Sequence, residues 1–176
     1  KPYIVKKKPS LPQLDRQNDF VHNGSKLKVS INTRTGFING LSVDGHSFID
    51  RDAFIPAILS DTADPWAMSK QQTKKLGNII SRFKLMNEKE SAAFSGVETG
   101  RLSPIRIIED GNVSVVVEAV FKGGNSSVRT RYIINKLTED LEVICDVYWN
   151  EKSKALKLLI PTTLKGRYIG EVPYGQ

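Results

Sequence analysis

The sequence has few of the side chains that build metal centres or disulfide frameworks. Its 176 residues include one cysteine, Cys145, and two histidines, His22 and His46. A single cysteine has no partner within the chain, and no HxH, HExxH or CxxC spacing occurs. No metal site is therefore predicted in this chain, and both histidines are interpreted as surface or turn residues. Cys145 falls on the apolar face of a predicted strand, which indicates a buried, unreactive thiol.

Long hydrophobic runs are also lacking. No apolar run approaches the roughly 18 residues that a membrane-spanning helix needs, so no membrane partner is predicted. The N-terminal segment is basic, but no apolar segment follows it, and it is therefore not a complete signal peptide. The single unpaired cysteine favours a reducing cytoplasm as the location.

Net positive charge is small outside the N-terminus. The net charge is +7, and four lysines in the first ten residues supply +4 of it. A nucleic-acid-binding domain more often carries basic residues interleaved with aromatics over its folded body, so no nucleic-acid partner is predicted. Residues 1–19, which contain several prolines, are interpreted as a basic linker. An alternative is that this basic tail binds an acidic partner.

The dominant feature of the remaining sequence is an alternation of apolar and polar residues. Such a period of two is typical of a strand with one face toward a core. The connections between the long alternating segments are too short for a crossover helix, which indicates antiparallel pairing. The three long segments are residues 113–121, 128–134 and 141–149.

Shorter segments complete the prediction of an antiparallel β domain over residues 20–176. An antiparallel domain of this length must bury its sheets against each other, so the predicted fold is a large β-sandwich. Additional strands are expected at residues 27–31, 37–43, 47–49, 155–160 and 167–172.

The middle of the chain differs from the strands around it. Short helical turns are predicted within residues 66–95, near 69–76 and 88–93, and an extended piece is expected at 79–85. Gly77 argues against one long helix through this part of the chain.

Acidic residues offer the main candidate for chemistry. Asp61 and Asp64 precede Trp66, and paired carboxylates can serve glycosidase chemistry, while an indole can stack on a sugar ring. An aspartate before proline is also a common turn initiator, and taken alone the run favours this structural role. Glu109 and Glu139 sit in predicted hairpin turns and are interpreted as turn residues.

Several short motifs in fixed order resemble the C-terminal β-domain of bacterial-type family 38 glycoside hydrolases, the α-mannosidases. The resemblance covers about residues 18–176. It rests on the run Gly36–Leu41 with the pattern G-x-I-x-x-L, on Asp64-Pro65-Trp66, on Ile108-Glu109-Asp110-Gly111, on Val147-Tyr148-Trp149-Asn150-Glu151-Lys152, and on Gly170-Glu171-Val172-Pro173-Tyr174-Gly175.

The resemblance implies that this chain is one domain of a larger protein and that the catalytic residues lie in another domain. Members carry an N-terminal α/β barrel in which an Asp nucleophile, an acid/base carboxylate and a zinc ion hydrolyse terminal α-mannosides with retention. This sequence contains no match for that barrel, so no catalytic or zinc residue is assigned here, and the zinc is expected in the catalytic domain. The implied fold is a β-sandwich like that of galactose mutarotases. Members continue beyond the position of Gln176, so a truncated piece is expected, with an unpaired sheet edge open to self-association.

The function implied is that of a non-catalytic module that packs against the barrel and forms part of the wall of the substrate cleft. Its expected partners are the barrel and mannose-containing glycans. Asp64 and Trp66 are the best candidates for facing the substrate, and Glu171 and Tyr174 are weaker ones, although Trp66 could instead anchor the core or a domain interface. One alternative is an independent, weak carbohydrate-binding module. A mutarotase-like enzyme using His46 with Glu171 is a more remote alternative.

Overall fold

The computed structural model describes residues 14–61, 78–97 and 100–167. Within these stretches the chain forms twelve strands and one short helix. They are β1 Phe20–Asn23, β2 Leu27–Ile31, β3 Ile38–Val43, β4 His46–Ile49, β5 Ile55–Ser60, β6 Ile79–Arg82, β7 Lys84–Leu85, α1 Glu88–Phe94, β8 Ile105–Asp110, β9 Ser114–Gly123, β10 Ser126–Asn135, β11 Asp140–Tyr148 and β12 Lys154–Leu159.

The strands form three antiparallel sheets. Sheet A has the order β1-β2-β3-β4, and sheet B has the order β12-β5-β6. Sheet C has the order β11-β10-β9, and β8 and β7 both pair with the other edge of β9. Strands β6 and β7 are separated only by Phe83, so the chain passes from sheet B to sheet C at this residue. The antiparallel prediction is confirmed.

Most predicted strands are present close to their predicted bounds. The three long alternating segments form β9, β10 and β11, with 10, 10 and 9 residues. The meander near the N-terminus forms β2, β3 and β4, and the segment predicted at 155–160 forms β12. Strand β5 was not predicted, because its four central residues are all buried and its sequence does not alternate.

The core lies between sheets A and C, with sheet B closing one side. The ring of Phe37 stacks on Phe121 of β9, with ring centroids 4.7 Å apart and planes within 3°. The buried hydroxyl of Tyr132 in β10 donates a hydrogen bond of 2.9 Å to the carbonyl oxygen of Gly36. Ile58 of sheet B belongs to the same buried cluster. Sheets packed face to face in this way confirm the predicted β-sandwich.

Helix α1 packs at the outer face of sheet C. Asn87 caps it: the side-chain oxygen of Asn87 accepts hydrogen bonds of 3.0 Å from the N–H groups of Lys89 and Glu90. In turn, the Glu90 carboxylate accepts a hydrogen bond of 3.1 Å from the Asn87 N–H. This reciprocal capping box explains why a helix of only seven residues forms. The helical turn predicted near 88–93 is confirmed, as is the extended piece before it. The turn predicted near 69–76 lies outside the described residues.

Two apolar residues expected in the core are instead exposed. Val113 precedes β9 in the turn after β8 and is 53% exposed. Val147 in β11 is 43% exposed, because it lies at an open margin between β11 and β12. Glu118 alternates with the apolar residues of the predicted segment 113–121, which places it on the polar face of β9. It is nevertheless only 7% exposed, and it pairs with Arg106. The strand predicted at 167–172 falls almost entirely outside the described part of the chain.

Candidate functional site

The four residues predicted to face a substrate, Asp64, Trp66, Glu171 and Tyr174, all lie outside the described residues. Their roles remain predictions. Asp61, which precedes two of them in the sequence, is described. It is exposed just after β5, and its N–H donates a hydrogen bond of 3.2 Å to the carbonyl oxygen of Ser153 before β12. This contact continues the pairing of the two strands by one residue.

The residues with metal-binding or nucleophilic side chains are dispersed. His22 lies in β1 and His46 in β4, which are the two opposite edges of sheet A. Cys145 is half-buried on the core side of β11, and burial raises the pKa of its thiol, which therefore stays protonated near neutral pH. In the described stretches no three His, Cys, Asp or Glu side chains converge as metal ligands.

Glu139, in the turn between β10 and β11, binds the backbone of a different hairpin. Its carboxylate accepts hydrogen bonds from the N–H groups of Ser25 at 3.1 Å, Lys26 at 2.5 Å and Leu27 at 2.8 Å, and from the Ser25 hydroxyl. The Ser25 hydroxyl first, and then these backbone groups, lower the pKa of Glu139 to about 2. A Cβ on Gly24 would lie 2.7 Å from this carboxylate and 2.9 Å from the Leu27 carbonyl oxygen, so any larger residue would force this turn to shift.

Glu151 makes a similar contact at the opposite end of the long strands. Its side chain is 2% exposed, and its carboxylate accepts a hydrogen bond of 2.5 Å from the Asn125 N–H in the turn between β9 and β10. Lys154 donates a bond of 2.6 Å to the other oxygen, and this bond is the main cause of the lowered pKa of Glu151. Glu151 belongs to one of the motifs that carry the family resemblance, and its contacts assign it a structural role.

A polar cluster on the outer face of sheet C is the best candidate for contact with a ligand. We define the outer-face cluster as Arg129, Arg131, Asp146 and Tyr148. Asp146 accepts hydrogen bonds of 3.0 Å from Arg129 and 3.2 Å from Arg131, and Arg129 also donates one of 3.3 Å to the Tyr148 hydroxyl. The ring of Phe94 from α1 meets the Tyr148 ring edge-on at 5.1 Å.

The chemistry available to the outer-face cluster is binding. Its side chains are about one third to one half exposed and are mounted on two paired strands. An exposed aromatic ring beside a carboxylate and two guanidinium groups can stack on an apolar face and exchange hydrogen bonds with neighbouring hydroxyl groups. The carboxylate of Asp146 is already neutralised by two arginines, which argues against a role as a base or nucleophile.

The alternation predicted for residues 128–134 and 141–149 places Arg129, Arg131 and Asp146 on outward faces, but it does not show that these three side chains meet. The signal that could have done so is the register of β10 and β11, in which Arg129 lies directly opposite Asp146. Cross-strand neighbours of opposite charge are a common pairing in antiparallel sheets.

Comparison with known proteins identifies the family. Residues 62–175 match the model of the glycosyl hydrolases family 38 C-terminal domain. A search of curated proteins found no match. The described residues contain no helix that is long and apolar enough to cross a membrane. Because the family match covers nearly two thirds of the sequence, the chain belongs to the C-terminal domain family of family 38 glycosyl hydrolases.

Proposed function

We propose that this chain is the non-catalytic C-terminal domain of a retaining, zinc-dependent glycosidase that hydrolyses terminal α-mannosides. The observation that carries the proposal is the family match over residues 62–175. In this role the domain packs against an N-terminal catalytic barrel of the same protein, supports it and walls the substrate cleft. The nucleophile, the acid/base and the zinc belong to the barrel, and the expected location is the cytoplasm.

The contacts of four described carboxylates support a non-catalytic role. The carboxylates of Glu139 and Glu151 accept hydrogen bonds from backbone N–H groups in turns, and the carboxylate of Asp146 forms ion pairs with two arginines. Glu118 is paired with Arg106 at 2.5 Å. A retaining glycosidase needs two carboxyl groups about 5 Å apart that are free to act on the sugar. These four carboxylates are instead used to hold the fold together.

The test is hydrolysis of p-nitrophenyl α-mannoside by the 176-residue chain and by the same chain joined downstream of a family 38 catalytic barrel. We expect activity only from the joined protein. Activity from the 176-residue chain alone would overturn the proposal, because it would require a catalytic site within this sequence.

The cleft-facing role is tested by Trp66→Ala in the joined protein. If the indole stacks on substrate, KM rises about tenfold, which corresponds to the loss of about 1.4 kcal/mol of binding. Leu137→Ala is the control, because Leu137 is 71% exposed in the turn after β10. Unchanged kinetics for Trp66→Ala with a lowered thermal stability would assign Trp66 to the core or to a domain interface.

An independent, weak carbohydrate-binding activity is the second candidate, and the outer-face cluster is the observation that favours it. Tyr148 is 48% exposed, and its hydroxyl group is oriented by Arg129. Titration of the chain with a mannose oligosaccharide, followed by NMR, should shift the amide signals of β10 and β11. Tyr148→Ala should abolish the shifts while Val113→Ala keeps them. Shifts that persist in Tyr148→Ala, or that fall elsewhere, would contradict this candidate.

A further inference from the structure

Two asparagines of the chain are followed directly by glycine, a pair that is chemically labile. They are Asn23-Gly24 and Asn39-Gly40. The backbone nitrogen of the residue after an asparagine can attack the side-chain amide, and glycine allows a close approach because it has no Cβ. The two pairs are alike in sequence, so any difference in their reactivity comes from the fold.

Asn39 is held in the interior of sheet A. It is partly buried in β3, which is flanked by β2 and β4, and its side-chain nitrogen donates a hydrogen bond of 2.7 Å to Asp19. Its side-chain oxygen is buried and has no hydrogen-bond donor in the described part of the chain. Turning this side chain toward Gly40 would break the bond to Asp19 and disturb a central strand, which disfavours attack at Asn39 in the folded state.

Asn23 has fewer constraints. It is exposed, and it is the last residue of β1, which is an edge of sheet A among the described strands. The Gly24 N–H donates a hydrogen bond of 2.8 Å to the Leu27 carbonyl oxygen, so its nitrogen becomes available only when the end of β1 opens. Opening at the end of an edge strand costs less free energy than opening within a central strand.

We propose that Asn23 is a site of spontaneous deamidation in the folded protein. The Gly24 nitrogen loses its proton to hydroxide and forms a bond to the side-chain carbonyl carbon of Asn23, and the amide nitrogen leaves as ammonia. Water then opens the resulting succinimide ring, which gives aspartate or, when the ring opens at the backbone carbonyl, isoaspartate. The overall reaction exchanges ammonia for water without oxidation or reduction. This inference does not depend on the function proposed above.

The modification changes the turn that Glu139 holds. The Glu139 carboxylate accepts hydrogen bonds from the three N–H groups that follow Gly24, those of Ser25, Lys26 and Leu27. Either product adds a negative charge beside this turn, and isoaspartate also lengthens its backbone. A Cβ on Gly24 would already lie 2.7 Å from the carboxylate, so a displaced backbone at this position would disturb the contact. Deamidation should therefore weaken the link between the two hairpins.

The first test follows the 176-residue chain at mildly alkaline pH by peptide mapping and mass spectrometry. Trypsin cleaves after Lys and Arg and places the two asparagines in different peptides, residues 17–26 and 35–51. Deamidation adds about one dalton, and fragmentation of each peptide locates it. In the folded chain we expect this gain to accumulate about tenfold faster at Asn23 than at Asn39. The chain unfolded in urea is the control, in which both sites should react at similar rates. Equal rates in the folded chain, or no gain at Asn23, would overturn the proposal.

The structural consequence is tested by hydrogen exchange and urea denaturation. In the deamidated protein, separated from the parent chain by ion exchange, the amides of residues 25–27 should exchange faster and the urea midpoint should fall. Asn23→Asp should reproduce part of this fall, since it adds the charge without lengthening the backbone. Asn112→Asp is the matched control, because Asn112 is an exposed residue in the turn between β8 and β9. Unchanged exchange at residues 25–27, or an equal fall for Asn112→Asp, would overturn the proposed link to Glu139.

Discussion

At the scale of single residues, two glutamates hold hairpin turns that would otherwise leave backbone N–H groups unpaired. Glu139 bridges from the turn after β10 to the turn after β1, and Glu151 bridges to the turn after β9. An ionised carboxylate is a strong acceptor for converging N–H donors, and such bonds favour its charged form. The consequence is that the stability of these turns depends on charge at two positions that have no role in the core.

Glu139→Gln is expected to destabilise the protein at neutral pH. The folded pKa of Glu139, about 2, lies below its ordinary value of 4.5. The native state therefore binds the proton less readily than the unfolded state, and the carboxylate stabilises the fold above the ordinary value. The difference between Glu139→Gln and the parent chain should shrink as pH falls from about 4.5 toward about 2.

The measurement is urea denaturation of both proteins across that pH range. Asp50→Asn is the control, because Asp50 is exposed and its carboxylate forms an ion pair of 3.1 Å with the exposed neighbour Arg51. If Glu139→Gln lowered the free energy of unfolding equally at all pH values, the charge of Glu139 would have no role.

Gly124→Ala is expected to destabilise the protein more than Gly45→Ala. Both glycines have positive φ, +58° and +78°, so alanine costs about 1 kcal/mol at either position for backbone conformation alone. A Cβ at Gly124 would also overlap the Glu151 carboxylate, whereas no atom lies within 4 Å of a Cβ at Gly45. We expect denaturation curves to show that Gly124→Ala lowers the free energy of unfolding by about 3 kcal/mol. Equal losses of unfolding free energy for Gly124→Ala and Gly45→Ala would show that the Glu151 side chain moves aside freely.

At the scale of secondary-structure elements, a partly buried ion pair attaches α1 to sheet C. Arg106 of β8 donates a hydrogen bond of 2.5 Å to Glu118 of β9, and its other nitrogen donates one of 2.9 Å to the Ser103 carbonyl oxygen. The same guanidinium group lies 3.4 Å from the hydroxyl groups of Ser91 and Ser95, which belong to α1 and its C-terminal cap. One side chain therefore connects two strands and the helix.

Arg106→Ala is expected to destabilise the fold by about 2–3 kcal/mol, because it leaves the nearly buried Glu118 carboxylate without its partner. Lys122→Ala, which removes the exposed pair of Lys122 with Glu90, should cost less than about 1 kcal/mol. Hydrogen exchange should show faster exchange in α1 for Arg106→Ala. Similar losses for both variants would contradict the importance of burial at this pair.

At the scale of the whole molecule, residues from all three sheets share one buried cluster. Phe121 of sheet C, Ile31 of sheet A and Ile58 of sheet B are all 1% exposed or less. No sheet can lose its neighbours without exposing the apolar face of another. The described part of the chain should therefore unfold as a unit.

Unfolding curves from far-UV circular dichroism and from tyrosine and tryptophan emission should coincide. Phe121→Ala removes a ring that stacks on Phe37 and should lower the free energy of unfolding by about 3–5 kcal/mol without separating the two curves. Two separate transitions, one for sheet A and one for sheet C, would contradict a shared core.

The sequence by itself determined the class of fold and the family. Alternation along β9, β10 and β11 is a local property of the chain, and short connections leave antiparallel pairing as the only geometry. The motifs in the C-terminal half likewise led to the family that the comparison established. The predicted substrate-facing residues Asp64, Trp66, Glu171 and Tyr174 remain predictions of the sequence alone.

Only the tertiary structure decided which distant side chains meet. Glu139 and Ser25 are separated by 114 residues, and no local pattern indicates that their hairpins adjoin. The outer-face cluster depends on the register of β10 with β11, and the open margin depends on how sheets B and C approach each other. The periodicity of a strand specifies which of its faces is buried, but it carries no information about which strand or turn lies beside it.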